Sequence, residues 1–153
     1  MAVCTLTACS TPDLEYAPSI GSNDRTATIQ ALNLAVVTNG EGVGTLVGAL
    51  LNEADSADRL VGVVAVSELG PIETAMPTGP IKLPEEDAER LVQLAPSSAV
   101  TLRGDNLRQG FWIDLTLRFD DSAELPTKVP VEAQAGPYAD IEITASPDGK
   151  VAP

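Results

Sequence analysis

The chain has 153 residues, enough for one domain, and 44% of them are hydrophobic, enough for a real core. Its formal net charge is −13, and its nine Lys and Arg are scattered along the sequence. This argues against nucleic acid and against docking on anionic lipid headgroups, since both need clustered cations.

Histidine is absent, which rules out His-dependent catalytic triads and His-based zinc sites. Sulfur is nearly absent too. Cys4 and Cys9 are the cysteines, Met1 and Met76 the methionines, so past residue 10 only Met76 offers a soft copper ligand. Aromatic residues are 3% of the chain, namely Tyr16, Phe111, Trp112, Phe119 and Tyr138, so the core must be built from Val, Leu, Ile and Ala. No apolar stretch reaches the roughly 18–20 residues of a membrane-spanning helix. The longest runs, 46–51 and 60–66, are strand-sized.

In chain order, the first feature is Leu6-Thr7-Ala8-Cys9, which resembles a bacterial lipobox: small residues before the cut suit the signal peptidase. The expectation is a lipid on Cys9, whose two acyl chains anchor stably where one would not. Eight residues precede Cys9 and none is basic, so residues 1–8 read as a truncated signal-peptide remnant with the true start upstream. Residues 9–24, with Pro12, Pro18 and Gly21 among polar neighbours, read as a lipidated cysteine and a flexible tether. That places the protein on the outer face of the cell membrane.

Residues 25–143 read as short strands separated by Gly, Pro, Asn and Asp, with a flexible tail at 144–153. The expected strands are 29–37, with Leu32, Leu34 and Val36 on one face; 45–51; 60–66; the Pro-bounded 72–75 and 81–83; 90–94; 100–103; 111–119; and 128–132. The clearest alternation is 111–119, with Phe111, Ile113, Leu115, Leu117 and Phe119 inward and Asp114, Thr116 and Arg118 outward. Residues 84–92 offer at most an isolated helical turn. Eight or nine short strands at regular spacing indicate an all-β fold, an immunoglobulin-like β-sandwich. Strands 45–51 and 60–66 are apolar on both faces, so the domain itself, by default, or a partner covers the second face.

Several short motifs then add up. The run 52–63, Asn-Glu-Ala-Asp-Ser-Ala-Asp-Arg-Leu-Val-Gly-Val, resembles a segment of the PCuAC-like periplasmic copper chaperone family. So do Ile81-Lys-Leu-Pro84, the turn at 104–110, the strand at 114–119 and Val129-Pro-Val131. With the lipobox and the closing Gly136-Pro-Tyr138, the likeness is to the family's actinobacterial lipoprotein branch, the LpqE type, over residues 26–142. The resemblance implies a cupredoxin-like β-sandwich. It also implies, for that branch, association with the respiratory cytochrome bcc–oxidase supercomplex. The family binds copper through two His and two Met. Aligned by those motifs, Ala99 and Thr101 stand at its His-x-Met, and Glu73, with Met76 nearby, stands near its earlier His. The scaffold is expected without the ligand set.

Other candidate sites have simpler explanations. Gly40-Glu-Gly-Val-Gly-Thr45 lacks the Lys of a phosphate loop and precedes a strand, so it reads as a hairpin turn. Asn52, Asp55 and Asp58 offer oxygen to calcium, but Asx-turns explain them as well. Asp120-Asp121 reads as a turn. No carboxylate pair is marked for acid–base work. Trp112 points outward by alternation and is the candidate partner contact; the alternatives are that it caps a sheet edge or packs under a loop. The expected function is a non-catalytic, lipid-anchored accessory or structural protein on a membrane complex, with no catalytic residue, metal or cofactor and no small-molecule substrate. The alternative is a copper carrier of the chaperone family with a non-standard or lost site.

Overall fold

A computed structural model describes residues 21–77, 79–85, 90–94 and 100–143. Three long strands organise it. β-Branched and Leu-rich segments with turn residues at both ends give β2 (Ile29–Thr38), β3 (Val43–Asn52) and β4 (Asp58–Ser67). Between β2 and β3 the chain reverses as a hairpin. Asn39 Oδ1 accepts the Glu41 N–H (2.8 Å), and the Thr38 hydroxyl donates to the Val43 carbonyl (2.8 Å). Gly40 and Gly42 take φ of +82° and +76°, conformations that favour glycine. The glycine-rich run is thus a turn.

Each long strand has one long neighbour and, on another side, two shorter pairings laid end to end. β2 pairs β3 antiparallel; its other edge takes β1 (Ser22–Asp24) at its start and, in parallel, the end of β10 (Leu125–Ala133). β3 takes β8 (Thr101–Arg103) and β7 (Leu91–Gln93). β4 pairs β9 (Trp112–Phe119) and takes β5 (Gly70–Ala75) and β6 (Ile81–Leu83). With β9–β10 and β5–β8 paired as well, seven strands close a ring: β2, β10, β9, β4, β5, β8, β3 and back to β2. The all-β expectation stands. The expected two-sheet sandwich becomes a closed barrel, because β5 and β10 each pair with strands on both sides.

The interior is aliphatic. Leu34, Leu46, Leu50, Leu60, Leu102, Ile113, Leu115 and Leu117 are fully buried. Leu117 and its neighbours at every second position keep the expected parity. Three expectations need correction. Leu32 does not share a face with Leu34 and Val36. Asn33 has φ +52° and the β2–β3 register shifts between Leu32 and Ala35, so a bulge resets the alternation, and Ile29, Ala31, Leu34 and Val36 point inward. Gly48 opposite admits the bulge: a Cβ there would lie 2.7 Å from the Asn33 carbonyl oxygen. Phe111 precedes β9 and is exposed rather than inward. Ser22–Asp24, expected in the tether, pair with β2. The helical turn expected at 84–92 falls partly outside the described residues, and its end, Leu91–Val92, belongs to β7.

A second apolar cluster sits outside the barrel. Ala35, Val37 and Val47, on the outer face of β2 and β3, are covered by Tyr138, Ile141 and Ile143. A 3₁₀ turn at Gly136–Tyr138 begins this strap, and the Gln134 amide donates to the Ile141 carbonyl (2.7 Å). The domain therefore covers the second face of β3 itself. The second face of β4 is different: Val61, Val64 and Val66 are 37–41% exposed.

Candidate functional site

The loop that suggested calcium is committed to the fold. Asn52 is fully buried; its amide donates to the carbonyls of Ser56 (2.9 Å), Leu83 (3.2 Å) and Pro84 (3.3 Å), and its oxygen accepts the Ala54 N–H. The buried Asp58 carboxylate accepts backbone N–H groups of Arg59 (2.7 Å), Asp120 (3.2 Å), Asp121 (3.0 Å) and Ser122 (2.9 Å). Burial alone would raise its pKa, but the hydrogen bonds from Ser122, Arg59 and Asp121 outweigh it and hold the carboxyl below its usual 3.8. Asp58 thus ties the Asp120-Asp121 turn to the start of β4. Among the described residues no group of three or more His, Cys, Asp or Glu is placed to hold a metal ion.

Of the positions that the resemblance aligns with the chaperone ligands, Glu73 and Thr101 lie on the paired strands β5 and β8. Ala75 lies opposite Thr101, and Glu73 opposite Arg103. Thr101 is buried, Glu73 is exposed, and Met76 packs against the main core. Ala99 lies outside the described residues. Among the described residues, the aligned positions and Met76 offer one thioether, one hydroxyl and one carboxylate. That set does not fit a soft cation, which needs imidazole or several sulfur ligands.

The end of the barrel at the start of β9 carries a different arrangement. Trp112, on the outward face as its alternation expects, is 53% exposed; Phe111 is 57% and Leu69 69% exposed. The backbone holds these residues firmly. The Gly110 N–H donates to the Val131 carbonyl and the Val131 N–H to the Phe111 carbonyl, both at 2.8 Å. The Asn106 amide donates to the carbonyls of Gly70 (3.0 Å) and Pro71 (3.1 Å), binding the 104–111 loop to the β4–β5 hairpin. Phe111 and Trp112 line two shallow clefts, of about 250 and 390 Å³, and Phe111 also borders a third. Sequence reasoning found Trp112 by parity. It missed Phe111 and Leu69, because a strand begun one residue early turns Phe111 inward and because Leu69 sits in a hairpin turn. Cys9 lies outside the described residues.

No family model and no curated protein matches the chain. Solved structures do. The copper-bound PCuAC domain from PmoF2 superposes with a TM-score of 0.56 at 23% identity, covering 73% of this chain and 98% of that one. The apo PCuAC domain from PmoF1 gives 0.58 at 20% identity, over 73% and 99%. The apo PmoF2 PCuAC domain gives 0.53 at 21%, over 75% and 98%. At these identities the likeness is one of fold: the barrel is built as PCuAC domains are built.

Proposed function

We propose that the chain is a non-catalytic envelope protein, held by a lipid on Cys9 at the outer face of the cell membrane, that docks on a membrane protein complex. The observation that supports docking is the rigidly held, solvent-exposed pair Phe111 and Trp112. Aromatic side chains in water are costly to keep there and are common interface anchors. The sequence resemblance points to the respiratory cytochrome bcc–oxidase supercomplex as that complex. Mild detergent extraction of the tagged protein, followed by pull-down and mass spectrometry, tests this. Oxidase or bcc subunits are expected with the wild type and lost with Trp112→Ala; recovery of the lipoprotein alone sinks the reading. Cys9→Ala in the full precursor should release the protein from the membrane. If it stays bound and acylated, the anchor is elsewhere.

A second reading is copper handling. Its support is the fold likeness to PCuAC domains, one of them copper-bound, and the comparisons favour this reading over the first. The donors at the β5–β8 pair weigh the other way. Titration with Cu(I) against a competing chelator separates the two. No stoichiometric site tighter than about 1 μM is expected, and finding one makes copper carriage the function.

A further inference from the structure

The barrel end that carries Phe111 and Trp112 also has a charge pattern, and it identifies the partner's chemistry. Glu68 lines both clefts that Phe111 and Trp112 share. Glu41 and Asp105 line the third cleft, on the other side of Phe111. All three carboxylates are exposed, and none has an ion-pair partner among the described residues. Two cations reach this end. Lys128 is paired with Asp114 (3.4 Å), while Arg108, whose Nε donates to the Asp105 carbonyl (3.5 Å), keeps its charge, so three carboxylates here face one uncompensated guanidinium. The local balance is therefore negative, as is the whole chain at −13. By contrast, Arg59, Arg90 and Arg118, away from this end, are each paired with a carboxylate.

We infer that this end is a preformed docking site for an apolar protein segment flanked by Lys or Arg. The inference rests on the docking reading above and adds the partner's charge. Leu69, Phe111 and Trp112 supply the apolar contact, and Glu41, Glu68 and Asp105 form an acidic rim that selects a basic partner and steers its approach. The hydrogen bonds from Asn106, Gly110 and Val131 hold the loops in place, so little ordering is required on binding. A net charge of −13 repels a second copy of the chain and repels anionic lipid.

Trp112 is the sole tryptophan and reports on its own site. The test uses the whole chain and two short synthetic peptides with one leucine pattern, one carrying lysines and the other glutamates. Saturable binding of the lysine peptide, read as a blue shift of Trp112 emission and weakened by salt, is expected. The double variant Glu68→Lys, Asp105→Lys should bind that peptide about tenfold more weakly and bind the glutamate peptide instead. Unchanged thermal unfolding shows that the variant is folded. Equal binding of both peptides, or binding indifferent to the double variant, overturns the inference. So does a blue shift given only by phosphatidylcholine or phosphatidylglycerol vesicles, which makes the site lipid-facing, or one that rises only with dimer in sedimentation, which makes it a self-contact. The two levels fail separately. If Trp112→Ala abolishes the pull-down but the charge reversals do not affect it, docking stands and the basic partner falls; an empty pull-down removes docking itself.

Discussion

The outer face of β2–β3 and the outer face of β4–β9 both carry apolar side chains and end differently. On the first, Ala35, Val37 and Val47 lie under Tyr138, Ile141 and Ile143, supplied by the chain's own C-terminal strap. On the second, Val61, Val64 and Val66 of β4 and Trp112 of β9 face solvent among the outward Asp114, Thr116 and Arg118. An apolar sheet face costs free energy wherever water reaches it. Among the described residues that cost is removed on one face and left on the other. The difference separates apolar surface that the fold covers from apolar surface that stays exposed.

Substitutions can sharpen that division, beginning where both faces share an interior. Leu117, fully buried in β9, belongs to the core under either face, and Leu117→Ala should destabilise by about 3 kcal/mol in denaturant unfolding. A loss near zero would mean that the inner and outer sides of β9 are reversed. Asn52→Ala removes four hydrogen bonds from a fully buried amide, for about 2 kcal/mol.

How much of this division the sequence makes legible depends on how local each cause is. β9 is legible because its alternation is uninterrupted for eight residues. β2 is half legible: Ile29–Leu32 and Leu34–Val37 each alternate, but the bulge at Asn33 depends on Gly48 of the next strand, and periodicity within β2 cannot record it. β1 is three polar residues whose strand character comes from pairing alone. Barrel closure is hidden for the same reason, since the parallel β2–β10 pair joins segments about ninety residues apart. At the candidate site, Trp112 follows from parity. Phe111, Leu69 and the acidic rim come together only when three loops distant in sequence meet, the 104–111 loop being joined to the β4–β5 hairpin by Asn106 and to the β2–β3 hairpin by the Gly104 N–H on the Gly42 carbonyl.

The strap gives a smaller effect with a distinct signature. Ile141→Ala should cost about 1 kcal/mol, because the side chain is only half-buried, and should raise dye binding by exposing Val37 and Val47. If dye binding does not change, the strap is not the cover of that face. Acid separates the two faces in another way, since Asp58 anchors the turn at the end of β9. Its carboxyl is held below the usual 3.8, so its contribution is complete above that pH and is lost as pH falls through the lower folded-state value. Asp58→Asn should be destabilised at neutral pH and should flatten this acid limb in thermal unfolding. An unaltered limb would assign it to other carboxylates, Asp24 first, whose pKa is lowered by hydrogen bonds from the Thr26 backbone and hydroxyl.

Trp112→Ala is the smallest stability effect and the sharpest test of the comparison. A tryptophan that belonged to the fold would cost about 3 kcal/mol or more on truncation. One that is 53% exposed should change stability by no more than about 0.5 kcal/mol. The same substitution should abolish partner recovery, because anchors lose most of their contact when cut back to Ala. The two readouts must diverge for the open face to be a contact surface. If stability falls by as much as it does for Leu117→Ala, Trp112 is part of the packing and the two faces differ only in how they are covered.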